Sequence, residues 1–305
     1  MENPIIEVKD FRKTYGDFIA VDDISFEVNQ GEIFGLLGPN GAGKTSTLES
    51  LEGLRSPNSG SLRVAGIDPT REPRKLRNVI GVQLQTSGLP ESITVNEAMK
   101  LFCAYHGVDA RNDLFDRLGL AEKVDAQYHQ LSTGQQRRLS LALALAHNPS
   151  VLFLDEPTAG LDVATRVEFH DIMREQQEAG TTIILATHDM AEAEEMADRI
   201  AILLRGQIAA SGTPIEITAE GAGLTKVSVR TQNSSLSEPG VSFPAVSQKA
   251  TKDEYRIYFS TDIGPTLAAV ISHIETREDV LIDLRVERPS LEDRFLEITS
   301  SGGSR

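Results

Sequence analysis

The chain has 305 residues, 40% hydrophobic and 25% charged. This excludes a disordered or collagen-like protein and, at ~100–200 residues per domain, leaves room for about two domains. Forty-five acidic against 30 basic residues give a formal charge of −15, which argues against an intrinsic nucleic-acid surface. The single cysteine, Cys103, cannot form an internal disulfide, and its neighbours Leu101 and Phe102 suggest a helical core position in a reducing compartment.

In chain order, Met1-Glu2-Asn3-Pro4 has neither the basic region nor the apolar core of a signal peptide. Residues 5–9 and 24–28 alternate as half-buried strands do, and 32–37 read as a buried strand. A glycine-rich loop follows, then a helix over 45–52 that Gly53 stops. The pattern predicts a strand over 80–84 and helices over 95–106 and 111–118. Ser132, followed three residues later by Gln135, forms a capping box for a helix running to His147. Residues 151–154 form a continuous apolar run, as in a parallel strand buried on both faces. Asp162 caps a helix over 163–179 that ends at Gly180. Strands over 182–186 and 200–204 follow, the latter turning at Arg205-Gly206 into 207–210.

No stretch approaches the ~18 apolar residues of a membrane span, and 139–146 is short and interrupted by Ser140. Any pore that this chain serves therefore belongs to another chain. Breakers cluster at 211–214 and 221–223, and beyond them the period changes. Val227 and Val229, then Tyr255, Ile257 and Phe259, then Val280, Ile282, Leu284 and Val286 alternate with polar residues, as in a one-sided sheet. A helix is expected over 267–274 and another over 290–298, before a flexible Ser/Gly tail at 300–305. The expected domains are 1–218 and 224–299.

The chemistry begins at Gly38-Pro39-Asn40-Gly41-Ala42-Gly43-Lys44-Thr45, with Ser46 next in the helix. Glycines at 38, 41 and 43 let the backbone turn tightly, so that successive N–H groups and the helix N-terminus point at phosphate oxygens. Lys44 reaches the β and γ phosphates, and the Thr45 hydroxyl can ligate magnesium. The bland alternative, a surface turn with an incidental lysine, does not account for the full eight-residue pattern between strand and helix.

Leu131-Ser132-Thr133-Gly134-Gln135-Gln136-Arg137-Arg138 resembles the signature of ATP-binding-cassette (ABC) transporter ATPases, with Thr133 where the family usually has glycine. The resemblance covers roughly the first two thirds of the chain. It implies an α/β P-loop ATPase domain with a RecA-like core, an antiparallel β subdomain and a helical subdomain, here followed by a small α+β accessory domain. It further implies that Ser132, Gly134 and Gln135 meet the nucleotide held by a second copy, so that the ATPase works as a homodimer. By the same resemblance Asp155 holds Mg2+, Glu156 polarises the attacking water, and His188 contacts the γ phosphate. Tyr15 stacks on adenine, and Asp162 lies in a D-loop at the dimer interface; its capping role alone would also account for it. Gln85 fits the Q-loop that touches magnesium, although Gln83 lies two residues upstream and would share its face.

The ending Arg288-Pro289-Ser290-Leu291-Glu292-Asp293-Arg294-Phe295-Leu296 resembles exporter ATPases of the daunorubicin-resistance type. The implied function is ATP hydrolysis that powers export through a separate permease, at the cytoplasmic face of a membrane and with no nucleic acid. A soluble ABC ATPase acting on ribosomes or DNA is the alternative. Such proteins usually carry two cassettes or a long coiled coil, whereas here 88 residues (132 minus 44) separate Lys44 from Ser132 with no heptad run. A non-catalytic ATP switch is a third reading, opposed by the Asp155-Glu156 pair and His188.

Overall fold

The structure, a computed structural model, describes residues 4–83, 88–220, 224–237, 240–287 and 290–301. It divides into two compact units, 1–213 and 214–305.

The first unit contains, in order, β1 (Ile6–Tyr15), β2 (Phe18–Val28), β3 (Ile33–Leu37), α1 (Lys44–Leu51), β4 (Ser59–Val64), α2 (Pro73–Arg77) and β5 (Ile80–Gln83). It continues with α3 (Val95–His106), α4 (Asp113–Arg117), α5 (Thr133–Leu145), β6 (Val151–Asp155), α6 (Val163–Glu178), β7 (Thr182–Thr187), α7 (Met190–Met196), β8 (Arg199–Leu204) and β9 (Gln207–Gly212). The central sheet has the order β5-β6-β7-β3-β8-β9, parallel except for β9. Every residue of β3, β6 and β7 is buried, which is why these strands are runs of apolar residues with no alternation.

A second sheet, β2-β1-β4, is antiparallel and does alternate. It joins the first through one apolar core containing Val21, Phe34, Leu36 and Leu48, in which Phe26 stacks on Phe34 at 5.2 Å. Such fully buried side chains contribute about 1.5–3 kcal/mol each. Helix α5 lies so close to β5 that a Cβ at Gly81 would stand 2.2 Å from the Ala144 carbonyl; only glycine lets the helix seat there. Helix α3 opens with a full capping box between Thr94 and Glu97 and closes on Gly107 in the left-handed region. Cys103 lies on its buried side, in the core position expected, although its neighbour Leu101 is exposed.

The second unit contains α8 (Pro214–Glu220), β10 (Thr225–Thr231), β11 (Val246–Lys252), β12 (Tyr255–Ser260), α9 (Ile263–Thr276), β13 (Leu281–Glu287) and α10 (Leu291–Ser301). Its sheet, order β11-β12-β10-β13, is antiparallel throughout. Val227, Val229, Tyr258, Val270 and Ile274 form a core between this sheet and α9, so the unit is α+β. The contact boundary falls at 213/214 rather than at the expected 218, because α8 packs on α10 of its own unit. Ser290 and Asp293 cap α10 reciprocally, and the helix continues through Ser301, beyond the expected end at 298. Strand β11 was not foreseen: Val-Ser-Gln-Lys-Ala-Thr-Lys is polar and exposed along almost its whole length. Among the described residues, no helix is long and apolar enough to cross a membrane.

Candidate nucleotide site

The glycine loop connects β3 to α1 at the C-terminal end of the parallel sheet, where α/β sheets bind ligands. Gly43 is the N-cap of α1 with φ 108, and a Cβ there would lie 2.6 Å from the Ala20 carbonyl, so the position demands glycine on two counts. No side chain caps α1, which leaves its N-terminal amides available to an anion. Lys44 is 6% exposed; its Nζ donates to the Gly38 carbonyl at 2.7 Å and stands 3.6 Å from Glu156 Oε1.

β6 delivers the acidic pair. Thr45 Oγ1 donates to Asp155 Oδ2 at 3.1 Å. Burial pushes the Asp155 carboxyl up, the Thr45 hydroxyl opposes that, and the Glu156 charge adds to it. Glu156 has φ 49, a left-handed conformation that non-glycine residues adopt at a cost and that clusters at functional sites. Its Oε2 stands 2.7 Å from His188 Nδ1. His188 leaves β7 just before Asp189, whose carboxylate caps α7 by accepting from Ala191 and Glu192 N–H groups. The Thr158 hydroxyl donates to Glu192 Oε1 at 2.6 Å, tying the turn after Glu156 to α7.

A pocket of about 170 Å³ is lined by Tyr15, Phe18, Ala20, residues 39–46, Asp155 and Glu156, while Gly38 and His188 are not in its lining. Tyr15 is 40% exposed, with its hydroxyl 3.3 Å from Ser46 Oγ. Phe18 and Ala20 were missed in the sequence; the signal was the tight Gly16-Asp17 turn, which sets Phe18 opposite Tyr15 across the β1–β2 hairpin. Gln85 lies outside the described residues. Its competitor Gln83 is 1% exposed in β5, and neither side-chain amide atom has a hydrogen-bond partner among the described residues.

Ser132, Gly134, Gln135 and Asp162 do not line this pocket. They gather at the N-termini of α5 and α6. Ser132 Oγ accepts from Gln135 N–H at 3.3 Å and Gln135 Oε1 accepts from Ser132 N–H at 2.9 Å, completing the capping box. Asp162 accepts from Thr165 N–H at 3.0 Å and from its hydroxyl at 2.8 Å; the Thr165 amide is the first cause holding this carboxyl below its usual range. The nearest atoms that a Cβ on Gly134 would meet are side-chain atoms of Thr165 and Leu161, at 3.6 Å or more, ordinary contact distances, so no close approach among the described residues requires glycine there.

One cation, two adjacent buried carboxylates and an uncapped helix N-terminus suit a polyphosphate carrying a divalent cation. The Thr45 hydroxyl beside Asp155 is a hard-oxygen pair that fits Mg2+.

The model of the ABC transporter family matches residues 21–159. The probable multidrug ABC transporter ATP-binding protein YbhF of Escherichia coli (strain K12) is 41% identical over 72% of this chain, which spans only 39% of that protein's length. The Nod factor export ATP-binding protein I of Ralstonia nicotianae is 35% identical over 97% of this chain and 94% of its own. The daunorubicin resistance ATP-binding protein DrrA3 of Streptomyces coeruleorubidus is 34% identical over 98% and 97%. Among solved structures, an ATP-binding subunit of an ABC transporter superposes with TM-score 0.68 at 28% identity, covering 72% of this chain and 94% of that one. A dimeric cassette in a post-hydrolysis state with ADP and Pi gives 0.63 at 25% identity, covering 68% and 98%. The chain belongs to the ABC transporter family.

Proposed function

We propose that this ATPase powers export through a permease carried on a separate chain, working as a homodimer. The observation that carries the catalytic part is Glu156, held in a left-handed turn between Lys44 at 3.6 Å and His188 at 2.7 Å. In this reading residues 38–46 cradle the phosphates, and Tyr15 stacks on the base. Thr45 and Asp155 would hold Mg2+, with Gln85 assigned to it by the motif alone; when bound, the cation would neutralise phosphate charge. Lys44 turns from the loop carbonyls to the β and γ phosphates. Glu156 orients the attacking water and accepts its proton at Oε1 or Oε2, while His188 holds the carboxylate and contacts the γ phosphate. Phosphoryl transfer asks little covalent chemistry of the protein, so positioning and charge compensation supply most of the catalysis.

The dimer reading rests on the separation of the two clusters. Ser132, Gly134, Gln135 and Asp162 stand ready at helix N-termini outside the pocket, and Gly134 has a freedom that its own chain does not use; a partner's γ phosphate approaching the backbone would use it. The dimeric relative with ADP and Pi supports this arrangement. Ser132→Arg is expected to abolish hydrolysis while leaving ATP binding to the monomer intact; unchanged phosphate release would remove the composite site.

The permease reading is supported by the names of the full-length relatives, which speak of export and drug resistance. It is also supported by an apolar groove of about 550 Å³ among β5, α3 and α5, lined by Leu54, Leu101, Phe102, Tyr105 and His147. Leu101 is 57% and Tyr105 64% exposed there, a patch of the kind that marks protein docking. The cargo is chosen by the permease. Co-purification of the tagged chain with a polytopic membrane protein from detergent is expected; enrichment with ribosomes or DNA instead would favour a soluble ABC ATPase.

A further inference from the structure

The C-terminal sheet ends in two edges of unlike chemistry. β11 carries Lys249 and Lys252 and a register shift between Val246 and Gln248, devices that blunt an edge against pairing. β13 exposes more apolar surface. Its Leu281, Ile282 and Val286 are 40%, 50% and 43% exposed, and its ladder to β10 is regular from Lys226↔Glu287 to Arg230↔Asp283, with a register shift only beyond that, before Thr231↔Leu281. Among the described residues, no strand pairs with its outer side.

We propose that β13 pairs antiparallel with β13 of a second copy of this chain, joining two four-stranded sheets into one of eight across a two-fold axis. The sequence of the strand selects the register. Centred on Leu284, the pairing sets Asp283 opposite Arg285 and Ile282 opposite Val286, each twice by symmetry. Centred on Asp283, it would set two aspartates face to face; centred on Arg285, two arginines, with Asp283 opposite Glu287. Registers between these would place the apolar face of one copy beside the charged face of the other.

Side-chain placement agrees with the Leu284-centred register. Val227 pairs with Val286 and Val229 with Leu284, so Leu284 and Val286 extend the face that α9 covers, and Leu284 packs on its core. Asp283 and Arg285 lie on the opposite face, already 2.9 Å apart, with the Tyr255 hydroxyl donating to Asp283 at 2.6 Å. Pairing would merge two such ion pairs into a four-charge array and cover the exposed Ile282 and Val286.

No nucleotide is involved, so this contact would keep two ATPase units at high effective concentration while their nucleotide sites are open. That consequence rests on the homodimer reading above; the contact itself does not. The test is sedimentation of the full chain without nucleotide. Wild type is expected to dimerise at micromolar concentration, while Asp283→Arg alone and Arg285→Asp alone lose at least tenfold in association. An equimolar mixture of the two variants is expected to recover the dimer, because each charged pair is then complementary again, a recovery that misfolding could not give. A monomeric wild type, undiminished association of either variant, or no recovery in the mixture overturns the proposal. ATP-dependent dimerisation of a chain carrying both Glu156→Gln and Asp283→Arg, in which the β13 contact is removed, reports on the composite nucleotide site separately.

Discussion

The two units of this chain handle sheet surface in opposite ways. In the first, a parallel sheet is covered on both faces, so its strands β3, β6 and β7 are wholly buried, and polar chemistry can surface only where the strands end. That is where Lys44, Asp155, Glu156 and His188 meet. In the second unit an antiparallel sheet is covered by α9 on one face, and β13 is half-open along its edge. Buried strand ends concentrate charge in low dielectric, which suits catalysis; open edges and rims present backbone and apolar side chains, which suit association. On the proposals above, catalysis belongs to the first unit and pairing between copies to the second.

The strongest way to break that division is Glu156→Gln. Removing the carboxylate while keeping its shape is expected to lower phosphate release by about 10²–10⁴-fold with nucleotide binding retained. Near-normal turnover would move the catalytic base elsewhere.

Next comes Glu52, buried just behind the site. Its carboxyl is pushed up to about 8, by burial first and then by the charges of Asp155 and Glu49. A carboxyl bound more tightly to its proton in the folded than in the unfolded state contributes stability that is full below about 4.5 and is lost as pH rises through about 8. Glu52→Gln should therefore raise stability at pH 9 by roughly 2–5 kcal/mol and flatten the melting temperature between pH 5 and 9, with no matching change near pH 4. Parallel pH profiles for variant and wild type would show that the group is not a proton-linked burden.

Leu236→Ala, in the core beneath α9, should cost about 2–3 kcal/mol. The loss should appear as earlier melting of the C-terminal unit with ATP affinity unchanged in fluorescence titration. A parallel fall in ATP affinity would mean that the two units are not separable in this sense.

The smallest effect sharpens the comparison within the first unit. Asp162→Ala removes the α6 cap at about 1 kcal/mol, equivalent to about fivefold in an equilibrium constant. An ATPase loss far beyond fivefold, with melting lowered only by the cap's share, would give Asp162 a role across the dimer; a loss within it would leave capping as its whole role.

Much of the fold was legible because its local signals agree. Residues 151–154 could be read as a buried strand because both faces are covered and no position tolerates a charge. Ser132 with Gln135 could be read as a cap because that chemistry is local, three residues apart. The α9-covered strands were legible from their alternation. β11 was not, since an exposed edge imposes no apolar period on Val-Ser-Gln-Lys-Ala-Thr-Lys. The 213/214 boundary was missed because it depends on α8 docking against α10, some seventy residues later in the chain. Phe18 and Ala20 escaped because a hairpin, not a motif, carries them to the pocket.

By itself the sequence determined the phosphate loop, the caps and the buried strands, since each depends on residue types at short, fixed spacings that backbone geometry reads directly. Only the tertiary structure decided that Glu156 stands between Lys44 and His188, that Ser132 and Asp162 gather away from the pocket, and that β13 lies at an edge. Those facts depend on the order of strands in a sheet, and strand order is set by which surfaces bury one another across the whole chain.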